Sequence, residues 1–369
     1  LYLFCGLNLI EISRNKVKNL RVDMKRAYVI MALLFFVFVR QSCAYATDPQ
    51  KVWKVGVFVC LTGACAESGT NSVEGITLAV DELNEDGGVL GHKILIQVED
   101  TTEGGASGAG AVTAFKKLVE DPNTNYLVGP SWTPGGLSVA PIAAKNSNVI
   151  VTSPSLGVAD FNEAGSNIFN LWPHDEFASK FLAKFALEKN WKRAAIFSSQ
   201  QPWENLQGNT FETEYKRLGG EVTAKVEPLP TNTDLRIESL KIKNSNPDVV
   251  LFSNYTQMGV ASKQLRELGY KGQFLAVLMD DTRIESAQGG LNGAIYSGYL
   301  PPDKKFIEAF RARYGKEPGI GADNSYDVIK LYAWAIKEAG TFNVEDVQRI
   351  MLKSSLPGAS GLLKFDEKG

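Results

Sequence analysis

Histidine is almost missing from this chain: His92 and His174 are the two in 369 residues. Cysteine is scarce as well, with four, and no two are spaced as Cys-x-x-Cys. A zinc site, which takes most of its ligands from these residues, is therefore not expected. Two histidines also leave little room for a Ser-His-Asp triad. His92 lies in the turn Gly91-His92-Lys93 and His174 just before a helix, so both read as surface groups. The glycine fingerprint of a nicotinamide site is absent, because the first strand turns through Cys60-Leu61-Thr62-Gly63-Ala64-Cys65. Gly104–Gly110 is glycine-rich but lacks the Gly-Lys-Ser/Thr ending of a phosphate loop, and no Gly-x-Ser-x-Gly elbow occurs. Charge of one sign is not in excess: 39 Lys and Arg face 41 Asp and Glu, a net charge of -2. Nothing then suggests nucleic acid or an anionic membrane as partner. The carboxylates show no acid–base pairing. No cofactor, no metal and no enzymatic activity are expected.

The length suits two domains, and a hydrophobic content of 44% suffices for full cores. Lys25-Arg26 precede the apolar run Ala27–Val39, which leads to Ala44-Tyr45-Ala46. This is the pattern of a secretory signal peptide, residues 24–46, cut after Ala46. The run of 13 is shorter than the roughly 20 residues that span a bilayer. Residues 1–23 read as an upstream mis-start, and lipid attachment through Cys43 is the weaker alternative. An exported chain meets an oxidising compartment, so Cys60 and Cys65 fit either a small disulfide or two buried thiols.

Trp53–Val59 is a near-continuous apolar run, as in a parallel strand covered on both faces. A polar loop is predicted over Cys60–Asn71 and a helix over Ser72–Leu83, from its apolar spacing. Lys93–Val98 is a second strand, and a helix from about Ala111 to Glu120 follows. After the segment Ile168–Pro173, read as a crossing, the alternation repeats. Strands are predicted at Ala194–Ser198, Val222–Val226, Asp248–Ser253 and Phe274–Met279, with helices between them. Ile295–Pro302 reads as a second crossing, followed by helices at Lys304–Tyr314, Asn324–Ala339 and Val344–Leu352 and a strand at Gly361–Phe365. The implied architecture is α/β, two doubly wound parallel-sheet lobes. The first lobe takes residues 52–171 and 301–356, the second 173–298 and 360–369, and the chain is expected to be truncated at Gly369.

The stretch Tyr126–Gly157 carries the functional signal. Tyr126–Gly129 and Val149–Ser153 read as adjacent buried strands, each ending in a hydroxyl-bearing turn. In an open α/β sheet the carboxyl edge is where ligands bind. Ser131 and Thr133 also stand at a helix N-terminus, which favours an anion. With Ser155 they form a candidate cradle for a carboxylate, although each hydroxyl taken alone is a common helix or turn cap. Trp203, Tyr255, Asp280 and Asp281 follow strands of the second unit. Aromatic faces plus a carboxylate there suit a cationic group, and the alternative is local packing and helix capping.

Several segments resemble the periplasmic solute-binding proteins of ABC importers, of the branched-chain amino acid (leucine/isoleucine/valine-binding) family with the type I fold. They are VGVFVCLTGACAESGTNSVEGITLAVDELNEDGGVLGHKI, YLVGPSWTPGGLSVAPIA, VIVTSPS, DVVLFSNYTQMGVASKQLRELG, ADNSYDVIKLYAWAI and FDEKG. The resemblance covers nearly all of residues 52–369. It implies a monomeric, periplasmic or extracytoplasmic protein whose lobes close on a small ligand, an amino acid or an analogue, and present it to an ABC permease. It implies a hinge of three segments, near Trp172, Tyr299 and Leu356. It places ligand contacts on Ser68, Ser131, Trp132, Thr133, Ser155 and Gly157 in the first lobe. In the second it places them on Trp203, Tyr255 and Asp280 or Asp281, with an acidic residue there taking an ammonium. Gly157 stands where many amino-acid binders carry a hydroxyl, and Ser68 where an aromatic is common. The same fold serves amide or urea sensors, and a small-molecule enzyme would use a base such as Asp281.

Overall fold

In the computed structural model, which describes residues 51–103 and 107–369, the apolar runs become the strands of two parallel sheets. The predicted signal peptide, residues 1–23 and Gly104–Ala106 lie outside the described residues. The first lobe runs β1 (Val52–Val59), α1 (Ala66–Glu85), β2 (Lys93–Asp100), α2 (Ala109–Val119), β3 (Tyr126–Val128), α3 (Thr133–Ala143), β4 (Ile150–Ser153), α4 (Ala159–Asn162) and β5 (Ile168–Asn170). Its strand order is β2-β1-β3-β4-β5. The second lobe runs α5 (Glu176–Glu188), β6 (Arg193–Phe197), α6 (Pro202–Arg217), β7 (Glu221–Val226), α7 (Arg236–Asn244), β8 (Val249–Phe252), α8 (Met258–Glu267), β9 (Gln273–Ala276), α9 (Asp281–Ser286) and β10 (Ile295–Tyr296). Its order, β10-β9-β8-β6-β7, repeats that of the first sheet. The chain ends with α10 (Lys304–Tyr314), α11 (Ala322–Ala339), α12 (Val344–Met351), β11 (Leu356–Pro357) and β12 (Leu362–Leu363).

Successive residues of a strand point to opposite faces, and β1 uses both. Val55, Val57 and Val59 pack in one core with Ile76 of α1 and Val328 and Tyr332 of α11. Phe58 packs in the other, its ring 5.9 Å from that of Phe115 in α2. Helices on both faces explain why these strands read as unbroken apolar runs rather than as alternation. The Tyr332 hydroxyl, wholly buried, donates to the Leu127 carbonyl at 2.8 Å and so pins α11 beneath β3.

Several predicted boundaries change. Helix α1 starts at Ala66 rather than Ser72, so the loop after β1 is shorter than expected. Cys60 and Cys65 are bonded to each other, with Cα atoms 5.7 Å apart, and the helix begins directly after the bridge. Gly69 permits this, because a Cβ there would collide with the Cys60 carbonyl. The predicted crossings open as edge strands: Ile168 pairs with Val151, and Ile295 with Leu275. Near Leu356 the third connecting segment forms a short antiparallel pair, Leu356 with Leu363, beside the second crossing. The Asp303 N–H donates to the Ala359 carbonyl at 2.7 Å there. Residues 360–369, expected in the second lobe, turn back instead. Leu363 and Phe365 enter the first lobe's core, and the Phe365 ring meets Phe169 edge-on at 5.1 Å. The two apolar side chains find a buried seat on that side.

Candidate ligand-binding site

In each sheet the strand order reverses beside the first strand, and there the loops at the carboxyl ends part to leave a crevice. The two crevices face each other across one narrow cavity of about 50 Å³. The first lobe contributes Ser68, Ser131, Trp132, Thr133 and Ser155, the second Gln201, Trp203, Tyr255 and Leu278. Trp172, Asp175 and Ile320 enter from the segments where the chain passes between lobes.

The first lobe's loops are tied to one another. Ser131 Oγ accepts the Cys60 N–H at 3.1 Å, and Ser155 Oγ donates to the Ser131 carbonyl at 3.1 Å. Trp132 precedes α3 in extended conformation and gives it no side-chain cap. Of the first helical residues, Pro134 has no N–H and Gly135 donates its own to Glu103 Oε2 at 2.9 Å. Thr133 remains, on the cavity wall. Ser68, predicted in a loop, stands in the first turn of α1. Glu103 lies buried beneath α3, and burial lifts its carboxyl from 4.5 to about 7.

The second lobe contributes rings. Tyr255 lies 6.3 Å from Trp203 and 6.0 Å from Trp132 of the opposite lobe, centroid to centroid. The Arg283 guanidinium sits 4.1 Å above the Tyr255 ring. Asp280 caps α9, its Oδ1 accepting the Arg283 N–H at 2.9 Å. Its Oδ2 pairs with the Arg283 guanidinium at 3.2 Å and accepts the Tyr255 hydroxyl. Asp280 therefore borders Tyr255 but not the cavity, and Asp281 is exposed and does not line it either. Across the lobes, Arg283 Nη2 donates to the Ala64 carbonyl at 2.8 Å, and the Thr282 hydroxyl donates to Glu67.

Asp175 has no counterpart among the predicted residues. It is 4% exposed. Its Oδ1 accepts Trp172 Nε1 at 3.1 Å and the Tyr299 hydroxyl, and its Oδ2 accepts Trp203 Nε1 at 2.7 Å. Burial raises its carboxyl from 3.8 to about 6, against the pull of those hydrogen bonds. Gly157 stands outside the cavity wall, but a Cβ there would collide with Asp175 Oδ2. The glycine makes room for the carboxylate. Gln201, 2% exposed, also escaped prediction; its Oε1 caps α6 by accepting the Glu204 N–H at 2.9 Å. The available signal was its place three residues after a predicted strand and just before Pro202, where a cap and a ligand contact look alike.

Residues 52–369 match the family model described as periplasmic binding protein. The Leu/Ile/Val-binding protein BraC3 of Rhizobium johnstonii is 26% identical over 351 residues, 89% of this chain and 91% of that protein. The leucine binding protein LivK of Thermotoga maritima superposes with a TM-score of 0.79 at 26% identity, over 86% of this chain and 92% of that one. The Streptococcus pneumoniae substrate binding protein LivJ, solved with isoleucine, gives 0.78 at 24% identity, over 86% and 93%. These relatives are substrate-binding proteins rather than enzymes. With its two parallel-sheet lobes and the cavity between their strand ends, the chain belongs to the periplasmic binding protein family.

Proposed function

We propose that the protein captures a small carboxylate-bearing solute, an amino acid or a related compound, in the interlobe cavity and hands it to an ABC permease. The observation that carries this reading is the convergence of both lobes on one cavity. Thr133 and Ser68 stand in first turns on one side, and Trp203 and Tyr255 close the other. A solute touching both walls binds the closed form better than the open one, and that difference is what shifts the population toward closure. Relatives named as leucine-, isoleucine- and valine-binding support the size and the carboxylate. Export by the predicted signal peptide, residues 24–46, would fit the same role, and no helix among the described residues is long and apolar enough to cross a membrane.

The test is a thermal-shift screen of ligand-free protein against amino acids, amides, urea and small organic acids. A solute at 100 times its Kd adds about 2.7 kcal/mol to stability. A shift from one carboxylate-bearing class supports capture. Turnover of any hit, or hits confined to amides or urea, defeats it. Delivery is tested separately, by uptake in vesicles carrying the permease encoded nearest the gene.

A further inference from the structure

We infer that Arg283 and Thr282 of the second lobe latch onto Ala64 and Glu67 of the first, so that the closed form is populated before any solute arrives. None of these four residues lines the cavity. The latch therefore acts whatever the cavity takes, and it goes beyond the capture proposed above.

Among the described residues, two hydrogen bonds join the lobes away from the crossing segments. Arg283 Nη2 donates to the Ala64 carbonyl at 2.8 Å, and the Thr282 hydroxyl donates to a Glu67 carboxylate oxygen. Both donors stand in the first turn of α9, and both acceptors lie at the entry to α1. The two bonds thus lie side by side, where the loop after β1 meets the loop after β9.

Each half of the latch is built before the halves meet. Arg283 is buried and held at three points within its own lobe. It pairs with Asp280 at 3.2 Å, donates through Nε to the Tyr255 carbonyl at 3.3 Å, and lies 4.1 Å above the Tyr255 ring. Parting the lobes breaks none of these contacts and removes one bond from Arg283. Because Tyr255 lines the cavity, the latch and the aromatic wall form one unit.

The acceptor side is equally fixed. Ala64 sits inside the loop closed by the Cys60–Cys65 bridge. The Leu61 N–H donates to Asp100 Oδ1 at 2.8 Å and pins the near end of that loop. At the far end the Gly69 N–H donates to the Cys65 carbonyl at 3.1 Å and starts the helix. Groups fixed in advance lose little rotamer freedom on meeting, which is the usual cost of holding a long side chain in one place. A hydrogen bond from a charged donor is then worth about tenfold or more in an equilibrium constant. A solute that meets a population already in the binding form is held more tightly.

The experiment is small-angle X-ray scattering on protein freed of solute by unfolding and refolding with the bridge intact. Wild type is expected near the radius of gyration calculated from the closed structure, and Arg283→Met at a larger radius with an unchanged far-UV spectrum. A folded Arg283→Met as compact as wild type overturns the inference. Should that variant fold poorly, Thr282→Val/Glu67→Ala serves, since it leaves the contacts of Arg283 within its own lobe intact. Its radius is expected to rise as well, and no rise overturns the inference. Cys60→Ala/Cys65→Ala, which loosens the acceptor without touching either donor, is expected to widen the protein less than Arg283→Met; a larger widening overturns the role of Arg283. No solute is added at any stage. A failure to find one would defeat capture and leave this result standing.

Discussion

The two lobes share one strand order, yet they bring different side chains to the cavity between them, mostly hydroxyls from the first and mostly rings from the second. The first offers short hydroxyl-bearing turns, one of them braced by the Cys60–Cys65 bridge. The second offers aromatic rings whose neighbouring carboxylates are already paired through Arg283 and through indole and hydroxyl donors. A doubly wound sheet fixes where a site lies, while the loops fix what it binds. On this cavity the hydroxyls of Ser68, Ser131, Thr133 and Ser155 come from the first lobe, and Trp203, Tyr255 and Leu278 from the second.

The sharpest way to break the comparison is to remove a ring. Trp203→Ala deletes cavity wall and also the 2.7 Å bond to Asp175. Solute affinity should fall roughly a hundredfold, as when a buried aromatic anchor is truncated, and calorimetry with the tightest solute checks it. Tyr255→Ala should come next, near thirtyfold.

A second cut falls beneath the first lobe. Glu103 is buried with its carboxyl raised to about 7. A carboxyl raised by folding contributes stability when protonated, fully below its unfolded value, and that contribution is lost as pH rises through the folded value. Wild-type stability should therefore decline, relative to Glu103→Gln, between about pH 4.5 and 7, by on the order of 2 kcal/mol. Denaturant titrations of both proteins across that range measure the difference. A constant gap would mean that Glu103 does not titrate in this window.

Reduction of Cys60–Cys65 tests the brace. The bridge closes a short loop, for which the chain-entropy argument gives roughly 2 kcal/mol. A lowered Tm with thiol, absent in Cys60→Ala/Cys65→Ala, is the expected outcome. The smallest effect belongs to Ser68→Ala. It removes one neutral hydroxyl contact worth about 0.5–1.5 kcal/mol, so binding should weaken less than tenfold. A loss equal to that of Tyr255→Ala would erase the distinction between the walls.

The fold was legible because its signals are local. Trp53–Val59 announces a strand covered on both sides, and Tyr126–Gly129 with Val149–Ser153 announces neighbouring strand ends. Ser131, Trp132, Thr133, Ser155, Trp203 and Tyr255 all follow predicted strands, and the structure gathers them with Ser68 on one cavity. What stayed hidden depends on partners far along the chain. Asp175 reads as a helix start until Trp203 and Tyr299 are brought onto it. Asp280 reads as a free acid until Arg283, at the helical i+3 position, turns back to pair with it. The tail beyond Ser360 went astray for the same reason, since its seat against Phe169 is set by tertiary packing alone.

The Asp175 carboxylate has one further consequence, and it is optical. Two of the six tryptophans, Trp172 and Trp203, spend their indole N–H on this single group, one from a crossing segment and one from the second lobe. Tyr299 joins them from the second crossing. These bonds tie both crossing segments to the start of the second lobe, and indole emission moves with the polarity around its N–H. A change in the colour of tryptophan emission on adding solute, with no label attached, is the expected sign that these segments move when the proposed closure takes place.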